Sequence, residues 1–97
     1  MENLYIVALF PVQKEKTAEA VELFKRVVTE TRKEKGCLLY GLIEDNGDEG
    51  VFFLSELWES VEDHQLHDKS THLEIFRKAI APFLAGEIKV FKGAKIF

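Results

Sequence analysis

The residues able to do chemistry crowd into one stretch, Leu54 to Phe76, which holds the single Trp and all three His of the chain. His64 and His67 are spaced i, i+3, so they lie near each other on one helix surface. An imidazole titrates close to neutral pH, which suits a general base. His72 falls at the edge of a Leu73/Phe76/Ile80/Phe83 stripe, so it is expected to lean inward. Each imidazole has a plainer reading: a solvated or capping residue for His64 and His67, a structural one for His72. Trp58 is either core packing or a pocket wall whose ring stacks on an aromatic ligand. Glu56 shares its strand face with Trp58 among apolar neighbours. It must therefore be partnered, exposed at an edge, or raised in pKa. Tyr40 and Tyr5 sit mid-strand and can offer a phenol to a pocket. Their alternative is a core position with a satisfied hydroxyl.

Other chemistries lack support. His64, His67, His72 and Glu56 number enough for a metal site. Their spacing crosses a helix break and no His-Glu-x-x-His pattern exists, so no metal is assigned. The acidic turn 44–49 lacks the alternation of a calcium loop and reads as a solvated hairpin tip. Cys37 reads as a small buried hydrophobe; no flanking motif marks it as a nucleophile. There is no phosphate loop, no Gly-x-Gly-x-x-Gly and no Gly-x-Ser-x-Gly.

The elements that must hold these groups follow from hydrophobic periodicity. Leu4 to Val12 reads as a strand buried on both faces, with Pro11 at its end or on an edge. Thr17 reads as the N-cap of a helix over 17–35. Ala20, Val21, Phe24, Val27, Val28 and Thr31 recur along it at helical spacing, and Gly36 stops it. Cys37 to Glu44 and Val51 to Glu59 form a hairpin around Asn46-Gly47. On its second strand Phe52, Leu54, Glu56 and Trp58 share a face. Ser60-Val61-Glu62-Asp63 fits a capping box opening a short helix to about Lys69. Thr71-His72-Leu73-Glu74 fits another, restarting a helix at 72. Pro82 tightens or breaks its last turn and Gly86 ends it. Ile88 to Phe91 is a fourth strand.

The order β-α-β-β-α-β is the α+β, ferredoxin-like arrangement: a four-stranded antiparallel sheet with both helices on one face. The strands are apolar on both sides, so the other face needs a cover. A homodimer packed sheet to sheet supplies it.

Length and charge agree with a small globular unit. Residues 1–97 read as a single domain. Apolar residues make up 46% and charged residues 31%, too hydrophobic a balance for disorder. The net charge of −4 and the lack of a basic stripe argue against nucleic acid. No apolar run approaches a membrane span, and Met1-Glu2-Asn3 gives no sign of a signal peptide. One cysteine permits no internal disulfide, which fits a reducing, cytoplasmic setting.

Taken together, the chain resembles the antibiotic biosynthesis monooxygenase family of dimeric α+β barrels. The resemblance spans nearly the whole sequence. It rests on Glu34-Lys35-Gly36-Cys37-Leu38, on Glu56-Leu57-Trp58-Glu59-Ser60, on His67-x4-His72 with Phe76 after it, and on Ala-Pro-Phe-Leu-Ala-Gly at 81–86. It implies a pocket between sheet and helices, and a monooxygenase that uses O2 on a small electron-rich aromatic substrate without a cofactor. It also implies His67, His72 or His64 as base, with Trp58, Tyr40, Glu56 and Phe76 around the substrate. His64 stands where a Tyr can occur in such proteins, and Leu54 replaces a polar group. A haem-degrading relative would need an axial His one turn past His72, where Arg77 stands. The same fold also runs isomerisation or hydration of dicarbonyl compounds, and a non-catalytic ligand-binding dimer is a third reading.

Overall fold

The computed structural model describes residues 2–97. Its strands are β1 (Leu4–Pro11), β2 (Cys37–Glu44), β3 (Val51–Trp58) and β4 (Lys89–Gly93). Its helices are α1 (Thr17–Thr31), α2 (Val61–Asp68) and α3 (Thr71–Ile80). The strands form one sheet in the order β2-β3-β1-β4, antiparallel at every step. This is the expected ferredoxin-like arrangement, with the helices on one face.

Alternation decides which side chains meet the helices. Ile6, Ala8 and Phe10 of β1, with Phe52 and Leu54 of β3, are buried against α1 and α3. Phe24 of α1 anchors this core, its ring centroid 5.1 Å from Phe10, 5.3 Å from Phe76 and 5.5 Å from Phe52. Burying such rings supplies most of the stabilisation of a small domain.

Several details differ from expectation: β1 and β3 each end one residue earlier, and β4 runs over Lys89–Gly93 instead of Ile88 to Phe91. Within one chain β1 is buried on one face only, because Tyr5 and Val7 point away from the helices and are exposed. Leu39, Ile43 and Phe91 are exposed on that same outer face, leaving it apolar and uncovered within one chain. α1 ends at Thr31, not Lys35: its last turn tightens into short bonds from Lys33 N–H to Glu30 O and from Glu34 N–H to Thr31 O. Thr17 is already inside α1; its hydroxyl bonds Lys14 O at 3.3 Å, at the end of a 3-10 turn over Lys14–Lys16. α3 begins at Thr71 behind Ser70, whose hydroxyl is spent on His67 O at 2.7 Å.

The first capping box forms on its Ser60 side, while Asp63 Oδ2 accepts from the Ser60 hydroxyl at 3.0 Å instead of from the Ser60 backbone N–H. Ser60 Oγ accepts the Asp63 N–H at 3.1 Å and sets the start of α2. Pro82 lies in a tight 3-10 turn, Ala81–Phe83. Beyond it, Val12 and Leu84 form a bridge that ties the chain back to the end of β1.

Candidate active site

One transverse row of the sheet lays out the site. Tyr40 pairs with Glu56, Glu56 with Ile6, and Ile6 with Lys92, across β2, β3, β1 and β4. Side chains of one row in neighbouring strands face the same way. A phenol, a carboxyl group and an ammonium therefore stand on the helix side of the sheet. α2 lies above this row, and it is inside out. Its apolar Val61 and Leu66 are exposed, while Asp63, His64 and His67 are buried.

Between these layers is a cavity of about 250 Å³. Ile6, Ala8, Phe10, Leu54, Leu73 and Phe76 make it apolar; Tyr40, Glu56, His64 and His67 give it one polar end. Lys92 and the Asp68–Arg77 pair, 3.2 Å apart, complete its lining with Ile88 and Val90. A mostly apolar hollow with a few convergent polar groups is the usual form of a small-molecule site.

His67 is only 2% exposed. Its Nδ1 lies 2.7 Å from Glu34 Oε1. A carboxylate only accepts, so Nδ1 carries the proton and the neutral ring keeps its lone pair on Nε2. Burial holds the His67 pKa below its ordinary 6.5 despite Glu34. Burial likewise lowers His64, which lies 3.8 Å from Asp68 and 4.0 Å from Glu56. Glu56 is 6% exposed, and burial pushes its pKa up to about 7. Its Oε1 accepts the indole N–H of Trp58 at 2.9 Å. Burial, then the charge of Glu56, raises Tyr40, which remains a phenol.

Five of the seven expected site residues, Tyr40, Glu56, His64, His67 and Phe76, line the cavity. Trp58 does not. The indole is fully buried behind the imidazoles, with its centroid 4.8 Å from His67 and 5.6 Å from His64. It backs the polar end and bonds Glu56, so it is no stacking wall for a ligand. His72 also lies outside the lining, on the far side of Glu34.

Glu34 was not expected at the site. Its Oε1 accepts from His67 and, at 2.8 Å, from Nε2 of His72. Two features aim it there. The tightened turn after α1 brings the chain round. Gly36 then takes φ +81°, and a Cβ on it would collide with Asp63 of α2. The one signal in the sequence was a lone acid among Arg32, Lys33 and Lys35.

The sequence profile of the antibiotic biosynthesis monooxygenase family matches residues 3–79. This chain belongs to that family. No curated protein matches it in sequence. Among solved structures, a conserved protein of Methanosarcina mazei is 26% identical, with a TM-score of 0.94 over 98% of this chain and 94% of that one. A Caulobacter crescentus protein provisionally named an antibiotic biosynthesis monooxygenase is also 26% identical, with a TM-score of 0.94 over 99% and 92% of the two chains. A Mycobacterium tuberculosis protein, 24% identical, shares the fold at a TM-score of 0.91 over 98% and 96%. Among the described residues of this antibiotic biosynthesis monooxygenase family member, no helix is long and apolar enough to cross a membrane.

Proposed function

We propose that this chain is a cofactor-independent monooxygenase of a small, electron-rich phenol or quinol. The observation that carries the reading is the buried imidazole of His67, lining the cavity with its Nδ1 2.7 Å from Glu34 Oε1. His67 Nε2 takes the hydroxyl proton of the bound substrate. The phenolate is electron-rich enough to reduce O2 directly. One oxygen atom then forms a bond to an unsubstituted ring carbon. The O–O bond breaks, and the second atom leaves as water with the ring proton and the proton returned from His67. The substrate loses four electrons and becomes a quinone; O2 gains those four. Tyr40 and protonated Glu56 donate hydrogen bonds to the developing oxyanion. The apolar walls keep bulk water from the reactive intermediate.

The uncovered outer face supports a homodimer packed sheet to sheet, since Tyr5, Val7, Leu39, Ile43 and Phe91 would otherwise stay in water. Sedimentation should give twice the chain mass. The lone Cys37, a free thiol, supports a reducing, cytoplasmic setting.

The test is O2 uptake with a dihydroxynaphthalene, without added metal or flavin. Protein-dependent uptake matched by quinone formation, and lost in His67→Ala, is expected. Uptake no faster than autoxidation would overturn the reading. A second reading has its own support: an imidazole base opposite the Tyr40 phenol and a Glu56 carboxyl group raised to about 7 also suits enolisation of a dicarbonyl. Turnover of such a compound at an undiminished rate without oxygen would favour isomerisation.

A further inference from the structure

Glu34, His67 and His72 come from three different elements: the turn after α1, the end of α2 and the start of α3. One carboxylate oxygen and two imidazole nitrogens of these residues lie within 4.8 Å of one another. Among the described residues no other group of three His, Cys, Asp or Glu side chains converges in this way. We propose that Glu34, His67 and His72 form a three-ligand binding site for a borderline divalent cation of the Zn²⁺ or Co²⁺ type.

The donor set selects that class. Two imidazoles and one carboxylate suit first-row divalent ions rather than Mg²⁺ or Ca²⁺, which prefer oxygen throughout. The spacing is close to what coordination needs. Ligand atoms about 2.0–2.1 Å from a metal are about 2.9 Å apart at right angles and about 3.3 Å apart in the tetrahedral arrangement usual for zinc. The two N···O distances are 2.7 and 2.8 Å. The two nitrogens must draw together by up to about 1.9 Å at right angles or about 1.5 Å in a tetrahedron, which would also open each N···O pair by about 0.5 Å. His72, with 27% of its side chain exposed, is the ligand with room to move. Three protein ligands leave further positions for water, as at an open zinc site.

The arrangement of protons gives the cation a consequence, and this part rests on the reading of His67 as base. In the metal-free protein Nδ1 of His67 holds the proton and Nε2 the lone pair. A cation on Nδ1 takes that position, and the proton of the neutral ring moves to Nε2. His72 exchanges its Nε2 proton for one on Nδ1 in the same way. No proton is gained or lost overall. Nε2, the nitrogen assigned as the base, has become a donor, and the base is gone. A cation here would hold the enzyme off rather than serve its chemistry.

The experiment is a Co²⁺ titration of the full chain after chelator treatment, followed by visible ligand-field absorption and by calorimetry. One ion per chain, displaced by Zn²⁺, is expected. His72→Ala and Glu34→Gln should each weaken binding by at least about tenfold, the loss that even an outer-shell partner causes. His64→Ala should bind like the parent. Circular dichroism confirms that each variant is folded. No saturable binding, or equal binding by folded His72→Ala, would overturn the site. Zn²⁺ saturation should reduce O2 uptake to background. One bound Zn²⁺ with uptake unchanged would leave the metal site standing and overturn the base assignment instead.

Discussion

The inner face of β3 is equally buried at both ends and chemically opposite between them. Phe52 and Leu54 meet Phe24 and its aromatic neighbours; Glu56 and Trp58 meet two imidazoles. At the first end the side chains that meet are apolar, and packing stabilises the fold. At the second, burial works against charge: it raises Glu56 and lowers His64 and His67. A protein gains no stability by burying groups it must neutralise. The difference marks which end packs and which end does chemistry.

Substitutions can separate the two ends. The largest effect is expected from His67→Ala, which should lower O2 uptake by about 10²–10⁴-fold, the usual contribution of a general base. Phe24→Ala should cost about 3–5 kcal/mol in urea unfolding, as a large buried ring lost from a packed core. Equal loss of uptake in both variants under conditions where both are folded would erase the contrast.

Next comes Glu56→Gln. The folded carboxyl group titrates near about 7 against an ordinary 4.5, so folding raises its pKa. Its stabilising contribution is full at low pH and lost as pH rises towards about 7. Glu56→Gln should therefore stabilise the chain on the order of 2 kcal/mol more at about pH 8 than at about pH 4. The imidazoles act with the opposite sign. Their folded pKa values lie below 6.5, so stability should fall as pH drops below 6.5, and His67→Ala should flatten that slope. Thermal melts across this pH range read both. The smallest effect is expected from Ser60→Ala, about 1 kcal/mol for a lost N-cap, measured by urea unfolding.

The two ends also differ in how legible they are in the sequence. The packed end follows from periodicity alone: the α1 stripe, the alternation of β3 and the Leu73/Phe76/Ile80 stripe all bury as their spacing requires. The polar end defeats that rule. α2 exposes Val61 and Leu66 and buries His64 and His67, so its orientation comes from tertiary partners, not from its own pattern. Glu34 was hidden for a related reason. It lies beyond the point where α1 tightens, and its partners are 33 and 38 residues further along the chain. For Trp58 the sequence leaves core packing and pocket wall open, because whether a buried indole faces a cavity or backs one depends on the layer above it.

The most direct measurement is the protonation state of His67, by long-range ¹H–¹⁵N correlation spectra of the labelled chain as a function of pH. A neutral ring protonated on Nδ1, titrating below 6.5 and losing that tautomer in Glu34→Gln, is the expected result. A ring protonated on Nε2 near neutral pH, or one titrating above 6.5, would contradict the assignment of His67 as the base.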